Sequence, residues 1–442
     1  MKTPWGDTEQ LRAHRLRPGP QPRGREGTIA NQRRRLLAAM VEATTERGYN
    51  ATTVADLTRL SGVGTAAFYQ CFADKESCFL AAVDSLYGEG MRRVGVGYHS
   101  EGAWEDRIRA AFGELLDLLV SESAASRMCL VDIYEVGAAG VARAERGAAG
   151  FELLLRQSIG RSRSRAGLPR AVVAGVVRGI QMLIHDRLRR GAAAELPELM
   201  EELVEWGLSY RTPPMALRRP RARPQSRLRA DDADPVERLL LALAEAVAEK
   251  GYLAVSVNEL APRAGTSMRT LYENFTGKEE AWLALSSRAR QRIKATVGAA
   301  EAKASEWPRA TATGNAALCE ALATEPAVAE AVIVGVLAAG PRALADRDDA
   351  IKRYAGELRR RAGPDRSRAS IVPEAIAFGR YALVARQIAR YGAHSLPALA
   401  PTLTYFVVAP FLGPRQAAVV ANERISRSPA SGQAGAVLAK AG

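Results

Sequence analysis

Displaced by 203 positions, this 442-residue sequence lies over itself. Arg35–Ala81 falls on Arg238–Ala284 without a gap. Gly48-Tyr49 meets Gly251-Tyr252, Leu57 meets Leu260, Gly62 meets Gly265, Tyr69 meets Tyr272, Phe72 meets Phe275 and Lys75-Glu76 meets Lys278-Glu279. The preceding stretch agrees as well, Arg35-Leu36-Leu37 over Arg238-Leu239-Leu240 and Glu42-Ala43 over Glu245-Ala246. The matches fall on glycines, aromatics and periodic apolar positions, which set turns and cores. The chain must therefore fold as two copies of one unit. Agreement continues weakly beyond the repeat, with Gly137 over Gly340 and Leu196-Pro197 near Leu396-Pro397.

Between the copies, residues 211–235 hold five prolines and seven arginines against three aspartates. Such a stretch buries too little apolar surface to order itself and reads as a basic Pro-rich linker. On the same grounds residues 1–27 are expected to form a disordered basic leader, and residues 425–442 a disordered tail. Each unit then divides in two. Residues 28–82 and 236–285 hold the repeated element, and residues 83–210 and 286–424 hold helix-rich remainders. Strand-type alternation is rare, so the predicted fold class is all-α.

Within the first copy, Leu36, Leu37, Met40, Val41 and Ala43 recur at helical spacing before Gly48. Thr52 or Thr53 then caps a short helix buried by Val54 and Leu57. Ser61-Gly62-Val63 makes a tight turn, with Gly62 suited to positive φ. A third helix from about Thr65 to Phe72 is too short to stand alone and needs Phe68 and Phe72 as anchors. Asp74 can cap a fourth. The second copy repeats the plan, with Ser267 capping a helix from Met268 that points Leu271 inward.

This order of helix, short helix, glycine turn and short helix is a helix-turn-helix. GYNATTVADLTRLSGVGTAAFYQCFADKE and GYLAVSVNELAPRAGTSMRTLYENFTGKE both resemble the DNA-binding domain of the TetR family. The resemblance implies that the third helix enters a DNA major groove. It implies phosphate contacts from Lys75 and Lys278, from the hydroxyls of Tyr69 and Tyr272, and from Thr53 and Ser256. Base-edge candidates are Thr65, Ala66, Ala67 and Gln70 in copy one. In copy two they are Ser267, Met268, Arg269, Thr270 and Asn274, with Arg269 suited to guanine. Two departures make the copies unequal. Gly64 replaces the family's capping serine, and Pro262 removes a backbone donor from the scaffold helix of copy two. An asymmetric DNA site is therefore expected. Arg33, Arg34 and Arg35, with Arg23 and Arg25, read either as an arm along the DNA or as a solvated leader.

In the family the remaining helices form a ligand-binding and dimerisation bundle. The resemblance points to Val172–Leu188 with Pro197–Leu208, and Ile371–Ile388 with Pro397–Val408, as mating surfaces. They can join within one chain as a pseudo-dimer or between chains as a homodimer. Joined within a chain, they would hold the recognition helices about 34–36 Å apart. Met128, Cys129, Tyr134, Met182 and His185 are candidate pocket residues for an unknown small-molecule effector; ordinary core is the competing reading.

A net charge of +14 suits a polyanionic partner. The four cysteines form no C-x-x-C pair, the four histidines show no metal spacing, and no cofactor or metal is expected. No P-loop or G-x-S-x-G motif points to an enzyme. The N-terminus lacks an apolar signal core, and the most apolar run, Leu403–Leu412, is short, so no membrane association is expected. The reading is a cytoplasmic, nucleoid-associated transcription regulator acting on double-stranded DNA, a repressor that responds to a ligand. The alternative is a helical ligand-binding or scaffolding protein in which one helix-turn-helix no longer binds DNA.

Overall fold

Glycines at matching places interrupt both halves, and the chain turns there. A computed structural model describes residues 1–13, 24–160, 162–220, 234–362 and 370–423. After a two-stranded hairpin (β1, Lys2–Thr3; β2, Gly6–Asp7) and a short helix α1 (Thr8–Ala13), the described residues are almost wholly helical. In the first half α2 (Gly24–Ala51), α3 (Val54–Ser61) and α4 (Thr65–Cys71) form the helix-turn-helix domain. They are followed by α5 (Lys75–Tyr98), α6 (Trp104–Ser121), α7 (Ser123–Leu130), α8 (Ala138–Ile159), α9 (Arg170–Arg189) and α10 (Met200–Ser209).

The second half repeats this order. Its helix-turn-helix domain is α11 (Pro235–Lys250), α12 (Leu260–Arg263) and α13 (Met268–Asn274). The bundle comprises α14 (Lys278–Glu301), α15 (Trp307–Thr324), α16 (Pro326–Ala329), α17 (Pro341–Arg361), α18 (Val372–Tyr391) and α19 (Ala400–Asn422). Gly48 and Gly251 adopt φ of 76° and 79°. Gly62 and Gly265, at 62° and 59°, make the two tight turns in the left-handed region where a Cβ is disfavoured. Pro262 has its expected effect. Where copy one has an eight-residue scaffold helix, copy two has a 3-10 turn, Val257–Glu259, followed by the four residues of α12.

Each helix-turn-helix domain has its own core. In the first, Leu36, Met40, Leu57, Phe68 and Phe79 are fully buried. In the second, Leu240, Leu243, Leu260, Leu271 and Trp282 play the same part. A third core joins the halves. It is built from α9 and α10 on one side and α18 and α19 on the other, around Leu203, Trp206, Tyr210, Phe378, Leu383, Leu403 and Phe406. Burying a side chain such as Phe406 contributes about 1.5–3 kcal/mol.

Small residues let the two halves approach. A Cβ on Gly179 would lie 2.7 Å from the Ala375 carbonyl oxygen, and one on Gly379 would lie 2.6 Å from that of Gly175. The α9–α18 crossing is thus a backbone contact. Phe406 fills the adjoining layer, stacked on Tyr210 at 5.4 Å between ring centroids. Hydrogen bonds across the seam are reciprocal: the Tyr210 hydroxyl donates to the Phe406 carbonyl at 2.8 Å, and the Tyr405 hydroxyl to the Arg211 carbonyl at 2.7 Å. Ion pairs rim it, Arg187–Glu374 at 3.0 Å, Arg189–Asp348 at 2.9 Å and Lys352–Asp186 at 3.1 Å. The two halves of one chain therefore pack as a pseudo-dimer.

Three expectations need correction. The leader was expected to be disordered from residue 1, yet Met1–Ala13 dock on the first helix-turn-helix domain. The Trp5 indole donates to Ser85 Oγ at 3.2 Å, and Arg12 Nε donates to the Leu60 carbonyl at 2.8 Å. An isolated tryptophan in a polar leader finds a groove that composition does not register. The linker likewise begins as packed chain: Arg218 N donates to Asn422 Oδ1 at 2.8 Å, and Asn422 Nδ2 to the Ala216 carbonyl at 3.0 Å. Residues 221–233 and the tail from 424 onward lie outside the described residues. Third, the apolar run near the C-terminus is longer than it reads. Ala393–Asn422 is long and apolar enough to cross a membrane by length and composition, but most of its apolar stretch is buried, and its residues from Leu396 to Ala421 supply much of the core between the halves. The kink at Gly413 (φ 72°), beside Pro410 and Pro414, divides it.

Candidate nucleic-acid interface and the adjoining cavity

The scaffold helix of copy one starts on a reciprocal cap. Thr53 Oγ1 accepts from Asp56 N at 3.2 Å, and the Asp56 carboxylate accepts from Thr53 N at 3.1 Å and from the Thr53 hydroxyl at 2.7 Å. These bonds from Thr53 hold the Asp56 carboxyl below its usual range. Ser256 and Glu259 repeat the device in copy two, with Ser256 N donating to Glu259 at 2.6 Å. Both hydroxyl residues are exposed. The recognition helices start unequally, as Gly64 and Ser267 imply. Gly64 offers no side-chain cap to α4, whereas Ser267 Oγ accepts from Thr270 N at 3.0 Å. A cap of this kind stabilises a helix by about 1 kcal/mol.

Recognition helix α4 turns Phe68 inward and leaves Thr65, Ala66, Tyr69 and Gln70 exposed, with Ala67 half-buried against the core. It presents no formal charge. Helix α13 buries Leu271 and leaves Ser267, Arg269, Tyr272, Glu273 and Asn274 exposed, with Met268 and Thr270 half-buried. The two tyrosines match closely, Tyr69 at 57% and Tyr272 at 56% exposed, unusually bare for residues of that size. The Arg269 side chain is 85% exposed and pairs with Glu273 at 2.7 Å. Asn274 Nδ2 donates to the Thr270 carbonyl at 2.8 Å.

Lys75 and Lys278, expected at phosphates, turn inward in this structure. Lys75 Nζ lies 4.1 Å above the Tyr49 ring and donates to the Tyr49 carbonyl at 2.9 Å. Lys278 Nζ lies 4.4 Å above the Tyr252 ring and donates to the Tyr252 and Val255 carbonyls at 2.9 and 2.8 Å. Burial lowers the pKa of both ammonium groups. Each lysine ties the start of the fourth helix to the loop before the scaffold helix. The Gly-Tyr…Lys spacing was visible in sequence, but a lysine on a helix end gives no sign of turning inward.

Three arginines also have structural roles that sequence reading left open. Arg33 donates to the Cys71 carbonyl at 2.7 Å and lies 4.4 Å above the Phe72 ring, closing the end of α4. Arg34 donates to the Trp5 carbonyl at 2.8 Å. Arg35 donates to the Ser61 carbonyl, and its repeat partner Arg238 to the Ala264 carbonyl at 3.0 Å. These two satisfy carbonyls at the ends of the scaffold helices. Arg23 lies outside the described residues, and Arg25 is exposed.

Behind α4, the first bundle encloses a cavity of about 420 Å³, within the range of small-molecule pockets. Its wall is mostly apolar, with Phe112, Leu115, Ile180, Val204 and Leu203 among the lining residues. Of the five candidate pocket residues, Cys129 lies on this wall. Met128 is in the core under the helix-turn-helix, Met182 packs on the core between the halves, and Tyr134 and His185 meet edge-to-face at 6.0 Å away from the lining. Helix spacing could identify buried residues but not an unfilled space among them. No group of metal-binding side chains occurs among the described residues.

Residues 36–82 and 239–285 both match the family model described as bacterial regulatory proteins, tetR family. Among solved structures, the chain is similar to the fatty acid degradation regulator FadR from Bacillus halodurans, at 13% identity over 39% of this chain and 96% of that one, with a TM-score of 0.36. It is also similar to the transcriptional regulator FadR from Bacillus subtilis, solved in complex with stearoyl-CoA, at 15% identity over 38% of this chain and 96% of that one, with a TM-score of 0.33. No curated protein sequence matches the chain. The two family matches coincide with the two helix-turn-helix domains: the chain carries the DNA-binding domain of the tetR family of bacterial regulatory proteins once in each half.

Proposed function

We propose that the protein is a cytoplasmic repressor that holds both recognition helices on one DNA site and releases it when a small molecule fills the first bundle. The observation that carries this reading is the seam between the halves. It fixes two reading heads on one body, so the second contact with DNA is intramolecular and needs no second chain. Helices α4 and α13 enter successive major grooves, with Tyr69 and Tyr272 bonding phosphates. Copy two supplies most of the discrimination, because Arg269 and Asn274 can bond base edges where copy one offers Ala66, Ala67 and the single amide of Gln70. Arg269 must leave Glu273 to do so, so its pairing selects against sequences that give it no guanine.

The cavity couples to the reader through α5. This helix follows α4 directly and contributes Leu86, Tyr87 and Gly90 to the wall. A ligand between α5, α6 and α8 shifts α5, and with it the first reading head, relative to the fixed seam.

Selection of bound fragments from random DNA, followed by titration of the selected duplex, tests the reading. One asymmetric site is expected, with affinity falling steeply with salt as phosphate contacts require. Arg269→Ala should relax preference at one base position. Binding that ignores both sequence and salt would refute the reading. A single half-site read only by copy two would instead favour the alternative, in which copy one has lost DNA binding; its uncharged α4 is what supports that view.

A further inference from the structure

The cavity lies in the first half. Three apolar wall residues of the first half have polar counterparts: Phe112 falls on Asn315 at the 203-residue offset, and Ile180 and Val204 fall on Arg380 and Thr404 at the 200-residue offset that relates Leu196 to Leu396 and Gly179 to Gly379 across the seam. Asn315, Arg380 and Thr404 bond to one another. Arg380 Nε donates to Asn315 Oδ1 at 2.8 Å, and Asn315 Nδ2 lies 3.4 Å from Thr404 Oγ1. Arg380 also stacks 4.3 Å from the Tyr354 ring. A self-satisfied polar network takes the place of the empty apolar space.

The first-half cavity is polar at one end. There α5 finishes, α6 begins, and the 162–168 loop crosses between α8 and α9. Arg165 lines this end with its side chain 5% exposed. Its Nη2 donates to the Leu208 carbonyl at 2.9 Å, and it stacks 4.8 Å from the Trp104 ring. Its Nε is buried with no partner. The carboxylate paired with it, Glu105, is 3.4 Å away and itself 43% exposed, while Arg211 adds positive charge nearby. The Tyr98 hydroxyl, on a residue that lines the same end, is also buried without a partner. A buried guanidinium with an open donor and a weak counter-ion is costly unless an anion completes it. The opposite end, around Leu118, Leu119, Ala148 and Ile184, is apolar.

We infer that the cavity takes one molecule per chain of an amphiphile with an apolar body and an acidic head, the head held by Arg165 Nε with the Tyr98 hydroxyl beside it. This rests on the ligand-responsive reading above and specifies its ligand class. The body lies along Phe112, Ile180 and Val204 toward Leu118.

Calorimetric titration of the full chain with decanoate, decyl phosphate and decan-1-ol tests the assignment. At least one acid should bind at one molecule per chain, ten-fold or more tighter than the alcohol; which acid binds tighter distinguishes a carboxylate from a phosphate source. Arg165→Met should reduce acid affinity to that of the alcohol and leave the alcohol unchanged. Glu105→Gln, at a half-exposed position, should tighten acid binding two-fold or more. It keeps the test decisive if Arg165→Met fails to fold. Equal binding of acid and alcohol, or equal weakening of both by Arg165→Met, overturns the acidic head. Two molecules per chain overturns the single site. Alcohol that binds as tightly as the acids and releases DNA at the same concentration would remove the head-group assignment while leaving the ligand response intact. Binding by none of the three would sink both.

Discussion

Gly175→Ala, alone and combined with Phe406→Ala, measures how closely the halves are fitted. A Cβ on Gly175 would lie 2.7 Å from Phe406 Cε2 and 2.9 Å from Leu383 Cδ1. Both are side-chain atoms across the seam, so the added methyl must push α9 and α19 apart or force Phe406 off its rotamer. Overpacking of this kind costs about 1–3 kcal/mol. A glycine-to-alanine change within a helix returns about 1 kcal/mol, so the single substitution should come out neutral to 2 kcal/mol destabilising, roughly. Phe406→Ala removes a fully buried ring stacked on Tyr210 and should cost about 3–5 kcal/mol. In that background the contact with Phe406 is gone and the Leu383 methyl, the end of a flexible side chain, can move into the vacated space, so the steric term largely vanishes and the helix gain and some filling of the void remain. Gly175→Ala should then stabilise by about 1 kcal/mol. The coupling between the two changes is therefore on the order of 1–3 kcal/mol. Urea unfolding of the four proteins, compared at constant m-value, reads it. A coupling below about 0.5 kcal/mol, as expected for independent sites, would refute the contact.

Three further outcomes follow from particular groups. Lys278→Met should destabilise the second helix-turn-helix by about 1–2 kcal/mol, because two carbonyls lose their donor; thermal melts of the full chain measure it. Asp132 is buried, with Arg127 3.7 Å away, and burial raises its carboxyl to about 6. Its folded pKa exceeds the unfolded value of 3.8, so its stabilising contribution is full below the unfolded pKa and lost as pH rises through about 6. Asp132→Asn should accordingly stabilise the protein at pH 7.5 by up to about 3 kcal/mol, and the gain should vanish near pH 4; denaturation at both pH values checks this. His185 behaves oppositely. Burial, then the Arg347 and Arg189 charges, hold it down to about 3, so its contribution is present above 6.5 and lost as pH falls. At pH 5 the wild type should have lost about 2 kcal/mol that His185→Gln retains, and parallel pH titrations of stability would expose a flat difference if the ring were solvated.

The helix-turn-helix was legible because its determinants are local. Gly62 and Gly265 set turns and Thr53, Asp74 and Ser267 cap helices through contacts within a few residues, while the helical spacing of Phe68 and Leu271 marks the face that packs on the first helix of each domain. Pro262 shortened its helix for the same kind of reason. The inward turn of Lys75 and Lys278 was not legible, since a tyrosine carbonyl 26 residues earlier becomes a neighbour only after folding. The docking of Trp5 against Ser85, 80 residues away, is a longer-range case of the same limit.

By itself, then, the sequence determined that two reading heads of unequal equipment exist and that each is carried on a helical bundle. Periodicity, caps and turns are written in nearest neighbours along the chain. Only the tertiary structure decided that the halves close on a glycine crossing and that an apolar space opens in the first bundle where side chains of the second form a polar network. Phe112 and Asn315 both fit a helix. Which of them leaves a space depends on what meets it from helices about 70 to 90 residues away, and packing across such distances is not encoded in any local pattern.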